Sequence, residues 1–326
     1  MPSSSLLSAL LSDDGKPSIF MTLFTSANRP ATLNGDARPN PQKRNILIQR
    51  LARAPWWLLI ILGGVLIFVI GVADSTTYQQ AWAEVRTGIW TTIWVSVVAY
   101  ALALILGLIL ALMRRPSRSL AYNILIYQPA TVFVEVIRGI PTLVLVFYVT
   151  LALVPELVGL ANRLGNSLLD NEILLFGLAE NLAAVTVRDI PTVNRAIVAL
   201  AVSYAAFLSE IFRAGIDSID LGQREAARSL GMTQWQIMRF IILPQAIRNI
   251  LPALGNDFIA ILKESSLVSI VGVRDITRAG QTFAAATFTF FQAYNIVALT
   301  YLVLTLSLSM IVKGIEIYLS RGRPSE

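Results

Sequence analysis

Between Gly88 and Met113 the chain runs 26 residues without a charged side chain. In hydrocarbon every backbone N–H and C=O must be satisfied within the protein, so a run of this kind folds as a helix. About 20 residues cross the ~30 Å core of a bilayer. Six such stretches are expected, at about 56–73, 88–113, 121–155, 192–215, 246–272 and 285–316. Composition agrees: of 326 residues, 55% are hydrophobic and 14% charged, where soluble domains carry about 25% charged residues. The fold class that follows is an all-α integral membrane protein with about six transmembrane helices.

The chain has no Cys and no His. That removes thiol chemistry, disulfides, His-ligated metals and His general bases, and no clustered carboxylates suggest another metal site. No catalytic residue and no bound cofactor is expected. The net charge of +6 is not gathered into a stripe that would suit nucleic acid; the basic residues flank the apolar runs. Lys43, Arg44, Arg50 and Arg53 precede the first. Arg114, Arg115 and Arg118 follow the second, Arg213, Arg224, Arg228, Arg239 and Arg248 follow the fourth, and Lys313, Arg321 and Arg323 follow the sixth. These are 15 of the 26 Lys and Arg residues, all on one side if the runs are spans. The opposite connections carry mainly Arg86, Arg163, Arg188, Arg274 and Arg278. Basic loops stay in the cytoplasm, so both termini and the loop after the fourth span are expected there, in a multi-pass plasma-membrane protein. Trp56, Trp57, Trp90 and Trp94 fall near the expected membrane–water interfaces.

Residues 1–42, rich in Ser, Pro, Asn and Asp, read as a disordered cytoplasmic tail, with Met21 an alternative start. Residues 43–80 hold the first span and 85–320 the transmembrane core, within which 217–248 form a cytoplasmic loop. The third run is longer than one crossing: Tyr122 to Val136 is expected to lie partly along the interface, before a break at Arg138-Gly139-Ile140-Pro141. The longest external connection, 156–190, reads either as a spacer with a short surface helix or as a contact surface for an extracytoplasmic partner.

The loop after the fourth span is the most informative. Asp220 with Gln223, and Thr233 with Gln236, have the spacing of N-terminal capping boxes. Gly231 suits the left-handed residue that ends a helix. Two short helices are expected, the second ending at Pro244, with Ala226 and Ala227 keeping the first thin enough for close approach of a partner. Alone, this pattern also suits an amphipathic hairpin lying on lipid. The full spacing is more specific: Glu225-Ala226-Ala227, three residues including Arg228, Gly231, nine residues, then Ile241-x-Leu243-Pro244.

That spacing resembles the cytoplasmic loop of ABC-importer permeases. Ser203-Tyr204-Ala205-Ala206-Phe207-Leu208-Ser209-Glu210-Ile211-Phe212-Arg213-Ala214-Gly215-Ile216, Arg138-Gly139-Ile140-Pro141-Thr142 and Lys263-Glu264-Ser265-Ser266-Leu267-Val268-Ser269-Ile270-Val271-Gly272-Val273 are similar to segments of bacterial histidine, glutamine, arginine and general amino-acid permeases, in the family's order over about 85–320. The resemblance implies a type I importer permease core of five helices, here with an extra N-terminal helix. It implies two permease subunits, a cytoplasmic ATPase dimer docked on the Glu225 loops, and an extracytoplasmic amino-acid-binding protein. ATP and Mg would bind the partner ATPase, in keeping with the absence of a Gly-x4-Gly-Lys-Ser/Thr sequence here. The tail, extra span and long 156–190 loop resemble the larger general amino-acid permeases and favour a pair of different permeases.

Ionisable residues in the spans are costly and face a cavity or a partner. Glu210 with Arg213, and Glu135 with Arg138, have pairing spacing. Lys263 and Glu264 point about 100° apart on a helix, so both cannot face one lumen; with Ser265 and Ser266 they either meet an amino-acid substrate or brace the fifth span against the second permease. Asn256 and Asp257 sit deeper toward the cytoplasm as a candidate gate. Two other functions compete: a stand-alone ion-coupled carrier, which would show inverted repeats, and an ABC permease for a non-amino-acid solute.

Overall fold

In the computed structural model, which describes residues 63–66, 70, 75–170 and 176–320, helix is the only regular structure that the apolar runs adopt among the described residues. The expected tail and most of the 56–73 span lie outside the described residues; of that span 63–66 and 70 are helical. Helix α1 (Thr76–Val85) passes through a 3-10 turn, Arg86–Gly88, into α2 (Ile89–Met113). Helix α3 (Leu120–Gly139) contains a π turn at Asn123–Tyr127. Helix α4 starts at Thr142, passes a π turn at Tyr148–Leu153 and continues to Asp170. Helix α5 (Phe176–Ala184) packs back on α4, and α6 is Thr192–Asp217. After the short α7 (Leu221–Ser229), α8 begins at Gln234, takes a π turn at Ile237–Ile242 and runs to Glu264, closing in a 3-10 stretch Ser265–Val271. Helices α9 (Ile276–Thr287) and α10 (Phe290–Ser320) complete the bundle.

Helices α2 and α6 form its centre and run parallel. Val95, Ala99 and Ala103 pack in one core with Ala196, Ala199, Leu200, Tyr204 and Leu208. Small side chains let the two backbones approach, which in lipid replaces the hydrophobic drive as the source of association. Helix α8 returns antiparallel across this pair, held by the Tyr100 hydroxyl donating to the Leu254 carbonyl at 2.6 Å.

Six helices among the described residues are long and apolar enough to cross a membrane, and α3 is one of them by composition. Its contacts assign it another course. Near its start the Tyr122 hydroxyl donates to the Met113 carbonyl, and near its end Glu135 and Arg138 are still beside Arg114 and Glu210, in the last turns of α2 and α6. The crossing is made after the break, where Thr142 meets Ser203 and Val146 and Val149 enter the core. The break has a local cause: a residue preceding proline is pushed out of the helical region, and Ile140 is extended at φ −99°, ψ 130°. The 121–155 run divides at the expected Arg138–Pro141 break into two helices, and the second carries on to Asp170 through much of the segment read as a loop.

Candidate functional site

At the end of the bundle where α2 and α6 finish, 217–248 folds as the expected helical hairpin, with two differences. The Asp220 carboxylate caps α7 by accepting from the Gly222 N–H at 2.5 Å, not through a box with Gln223. The second helix does not stop at Pro244. The π turn just before it leaves room for a residue without an N–H, and α8 continues unbroken into the membrane. Helix α7 ends in a Schellman arrangement: the Met232 N–H bonds the Ala227 carbonyl and the Gly231 N–H bonds the Arg228 carbonyl, with Gly231 left-handed at φ +75°. The Thr233–Gln236 capping box then starts α8, its hydroxyl accepting from the Gln236 N–H and the Gln236 side-chain oxygen from the Thr233 N–H.

One face of the hairpin is fixed and the other free. Ala227, Ile237, Ile242 and Ala246 pack with Ile216 and Ile219 at the end of α6. Arg224 donates to the Ile216 carbonyl at 2.7 Å and Asn249 to the Ser218 hydroxyl at 3.1 Å. Ala227 is therefore a core residue, and only Ala226 of the two alanines is exposed with Glu225 and Arg228. Leu243 and Pro244 are exposed and Ile241 is half-buried. Leu221, Leu230 and Trp235, 70–81% exposed, give this polar loop an uncovered apolar surface that the sequence reading did not single out. Just outside the membrane, the Arg115 guanidinium is held below its ordinary value by burial, with Asp217 acting in the opposite direction at 3.8 Å.

The intramembrane polar residues do not form one cluster. Lys263 and Asn256 are seven residues apart on α8 and both exposed. Glu264 turns the other way, toward Tyr204, and its Oε2 is buried without a hydrogen-bond partner among the described residues. Asp257, half-buried, shares this inner face. Ser265 is buried and donates to the Leu262 carbonyl at 2.7 Å; Ser266 is half-buried. Glu210 pairs with Arg213 at 2.8 Å, as its spacing suggests, and also with Arg114 at 2.7 Å and Arg138 at 3.4 Å. Glu135 and Arg138 do not pair with each other: Glu135 bonds Arg114 at 3.2 Å. Spacing along one helix cannot show partners from neighbouring helices. Among the described residues no group of His, Cys, Asp and Glu is placed to hold a metal.

Residues 103–322 match the family described as "Binding-protein-dependent transport system inner membrane component". The probable amino-acid permease protein YxeN of Bacillus subtilis is 38% identical over 186 residues, 57% of this chain and 71% of the relative. The glutamine transport system permease protein GlnP of Escherichia coli is 34% identical over 187 residues, 57% of this chain and 73% of the relative. A crystal structure of an amino acid ABC transporter with histidines superposes with a TM-score of 0.57 at 35% identity, over 72% of this chain and 94% of that one. The bundle has the type I importer permease fold. From the span of the family match and the level of these identities, the chain belongs to the inner membrane components of binding-protein-dependent transport systems.

Proposed function

We propose that this chain is a membrane-spanning subunit of an ATP-driven importer of amino acids, working by alternating access. The hairpin carries the reading. It presents Glu225, Ala226, Arg228, Leu230 and Trp235 outward while its inner face is fastened to the ends of α6 and α8, so a push on the hairpin moves both helices. A cytoplasmic ABC ATPase dimer is the partner such a knob serves. ATP and Mg belong to that dimer, and this chain performs no hydrolysis. The similarity to amino-acid permeases supports the substrate class, and an extracytoplasmic binding protein delivers it.

A second permease subunit covers the outer face of α8. An exposed Lys263 at membrane depth is too costly to leave in lipid, and with Asn256 it forms a polar seam that a partner permease or a water-filled pathway between the two must face. Glu264, Asp257 and Ser266 lie nearer the chain's own core and supply polar groups to the pathway wall. The distribution of basic residues supports a cytoplasmic hairpin with both chain termini on the same side.

Purification of the tagged chain from mild detergent, with ATPase assay, mass spectrometry and reconstitution, tests this. Co-purification of an ATPase whose amino-acid-stimulated turnover is lost in Glu225→Lys is the expected result. A chain that purifies alone and moves solute without ATP would make it a stand-alone carrier, and ATP-driven uptake of another solute class would overturn the substrate assignment alone.

A further inference from the structure

Just above the hairpin, one carboxylate joins three helices. Glu210 Oε1 accepts from Arg114 Nη1 of α2 at 2.7 Å and from Arg138 Nη1 of α3 at 3.4 Å. Its Oε2 accepts from Arg213 Nη2 of α6 at 2.8 Å. Arg114, with a side chain only 3% exposed, also reaches Glu135 on α3 at 3.2 Å. Three guanidiniums therefore share two carboxylates.

The contacts of this hub differ in strength. The Arg114 bond is short and buried, and removing Glu210 would leave a buried guanidinium with Glu135 alone, at 3.2 Å, a strongly destabilising change. The Arg138 bond is long, shares its acceptor oxygen with Arg114, and joins side chains 39% and 22% exposed. Arg138 also has a second carboxylate within its range of motion: Glu135 lies three residues earlier on the same helix, the spacing at which side chains meet, and is 59% exposed. Arg138 thus points across to α6, to Glu210 and to the face of Phe207, 5.9 Å from its guanidinium, with a second carboxylate spaced to receive it back along α3.

Both sides of this contact are built to move separately. Glu210 is seven residues, about 10 Å of helix, from Asp217, in the stretch of α6 that the hairpin's core and the Arg224–Ile216 bond make one body with α7. Arg138 lies one residue short of the non-helical Ile140-Pro141 link, separated from it by Gly139, and the dihedrals of that link can absorb a rotation of α4 against α3.

Resting on the permease reading above, we propose that Glu210 and Arg138 are positioning residues of transport. Their pair is the contact exchanged as the ATPases displace the hairpin, Arg138 passing from Glu210 to Glu135 and releasing the α3–α4 link. Differential contacts of this kind are what lets a ligand-driven shift at one site bias another.

The test uses the full complex of permeases and ATPase in proteoliposomes with binding protein and amino acid. Arg138→Gln and Glu135→Gln are expected to leave assembly and basal ATPase activity within about twofold. Binding-protein-stimulated turnover and uptake should fall about tenfold, inside the usual 5–150-fold range of coupling, and Arg138→Lys should restore much of it. Spin labels at Leu125 on α3 and Leu221 on α7, both exposed, provide a readout that lost stability alone would not move. Their distance distribution should shift with ATP in the native complex and stay in one population in Arg138→Gln. Native uptake in both Gln variants would overturn the proposal, and so would failure of Arg138→Gln to assemble, which would make the residue structural. A native complex without ATP-driven uptake would defeat the permease reading and this proposal together.

Discussion

Asp275 shows what a single buried carboxyl does in this fold. It is fully buried at the start of α9, accepting from the Arg278 N–H at 2.8 Å and from the Tyr301 hydroxyl at 3.1 Å. Burial pushes its carboxyl above the ordinary value, against the lowering effect of the hydrogen bonds. A group whose folded value is raised contributes most to stability below the ordinary carboxylate range, where it is protonated in both states. That contribution is lost as pH rises through the folded value. Hydrogen exchange of the 276–287 amides should therefore quicken as pH is raised through that value, beyond the intrinsic trend, and Asp275→Asn should flatten the response while keeping the cap. Asp275→Ala should cost about 1 kcal/mol of helix-cap stability, read as faster exchange of the same amides at every pH. Gly231 is the other residue fixed by local physics. Its left-handed φ costs an L side chain roughly 1–2 kcal/mol, although no neighbouring atom would block a Cβ. Gly231→Val should weaken ATPase docking by about 5- to 30-fold, measured by titrating purified ATPase onto the permease in nanodiscs.

At the scale of helices, the two alanines of the hairpin have opposite roles despite standing side by side. Ala227 is 4% exposed in the cluster under α7, and Ala226 faces out. Ala227→Leu should strain that cluster by roughly 1–3 kcal/mol, lowering the thermal stability of the detergent-solubilised permease. Ala226→Leu should leave stability unchanged and abolish ATPase binding in the nanodisc titration; equal behaviour of the two would contradict the division of faces. This division could not be read from the sequence, because helical spacing ranks faces only when their surroundings are known. The hairpin itself was legible, since caps and left-handed turns are local chemistry. The packing seam of α2 and α6, rich in small residues, is by contrast a finding of the structure. Gly107 marks it: a Cβ there would come within 2.9 Å of Leu208 Cβ and 3.0 Å of the Ala205 carbonyl. What sequence spacing missed are the cross-helix partners of Glu135 and Arg138 and the continuation of α8 past Pro244, which depends on a π turn that no residue pattern announces.

For the whole molecule, sidedness is where sequence and structure constrain each other most tightly. Hydropathy alone gives six candidate crossings among the described residues, and six would put the start of α2 and the end of α10 on the same side. The contacts of α3 with Met113, Arg114 and Glu210 remove one crossing, leaving α2, α4, α6, α8 and α10. With five, the α2–α3 connection, the α6–α8 hairpin and the end of α10 share one side, and Arg86, Arg188, Arg274 and Arg278 share the other. That is the distribution the basic residues favour. It also puts the Glu84–Arg274 pair and the capped turn at Asp189 on the side opposite the hairpin; there the Thr186 N–H and hydroxyl hold the Asp189 carboxyl below its usual range. The native chain contains no cysteine, so single substitutions report without background. Arg228→Cys in the hairpin and Arg118→Cys before α3 should be blocked only by a membrane-permeant thiol reagent in intact cells. Arg188→Cys before α6 should be blocked by an impermeant one. Labelling of Arg118→Cys and Arg228→Cys from opposite sides would mean that α3 crosses after all, and would remove the hairpin from the ATPases that the proposed mechanism requires.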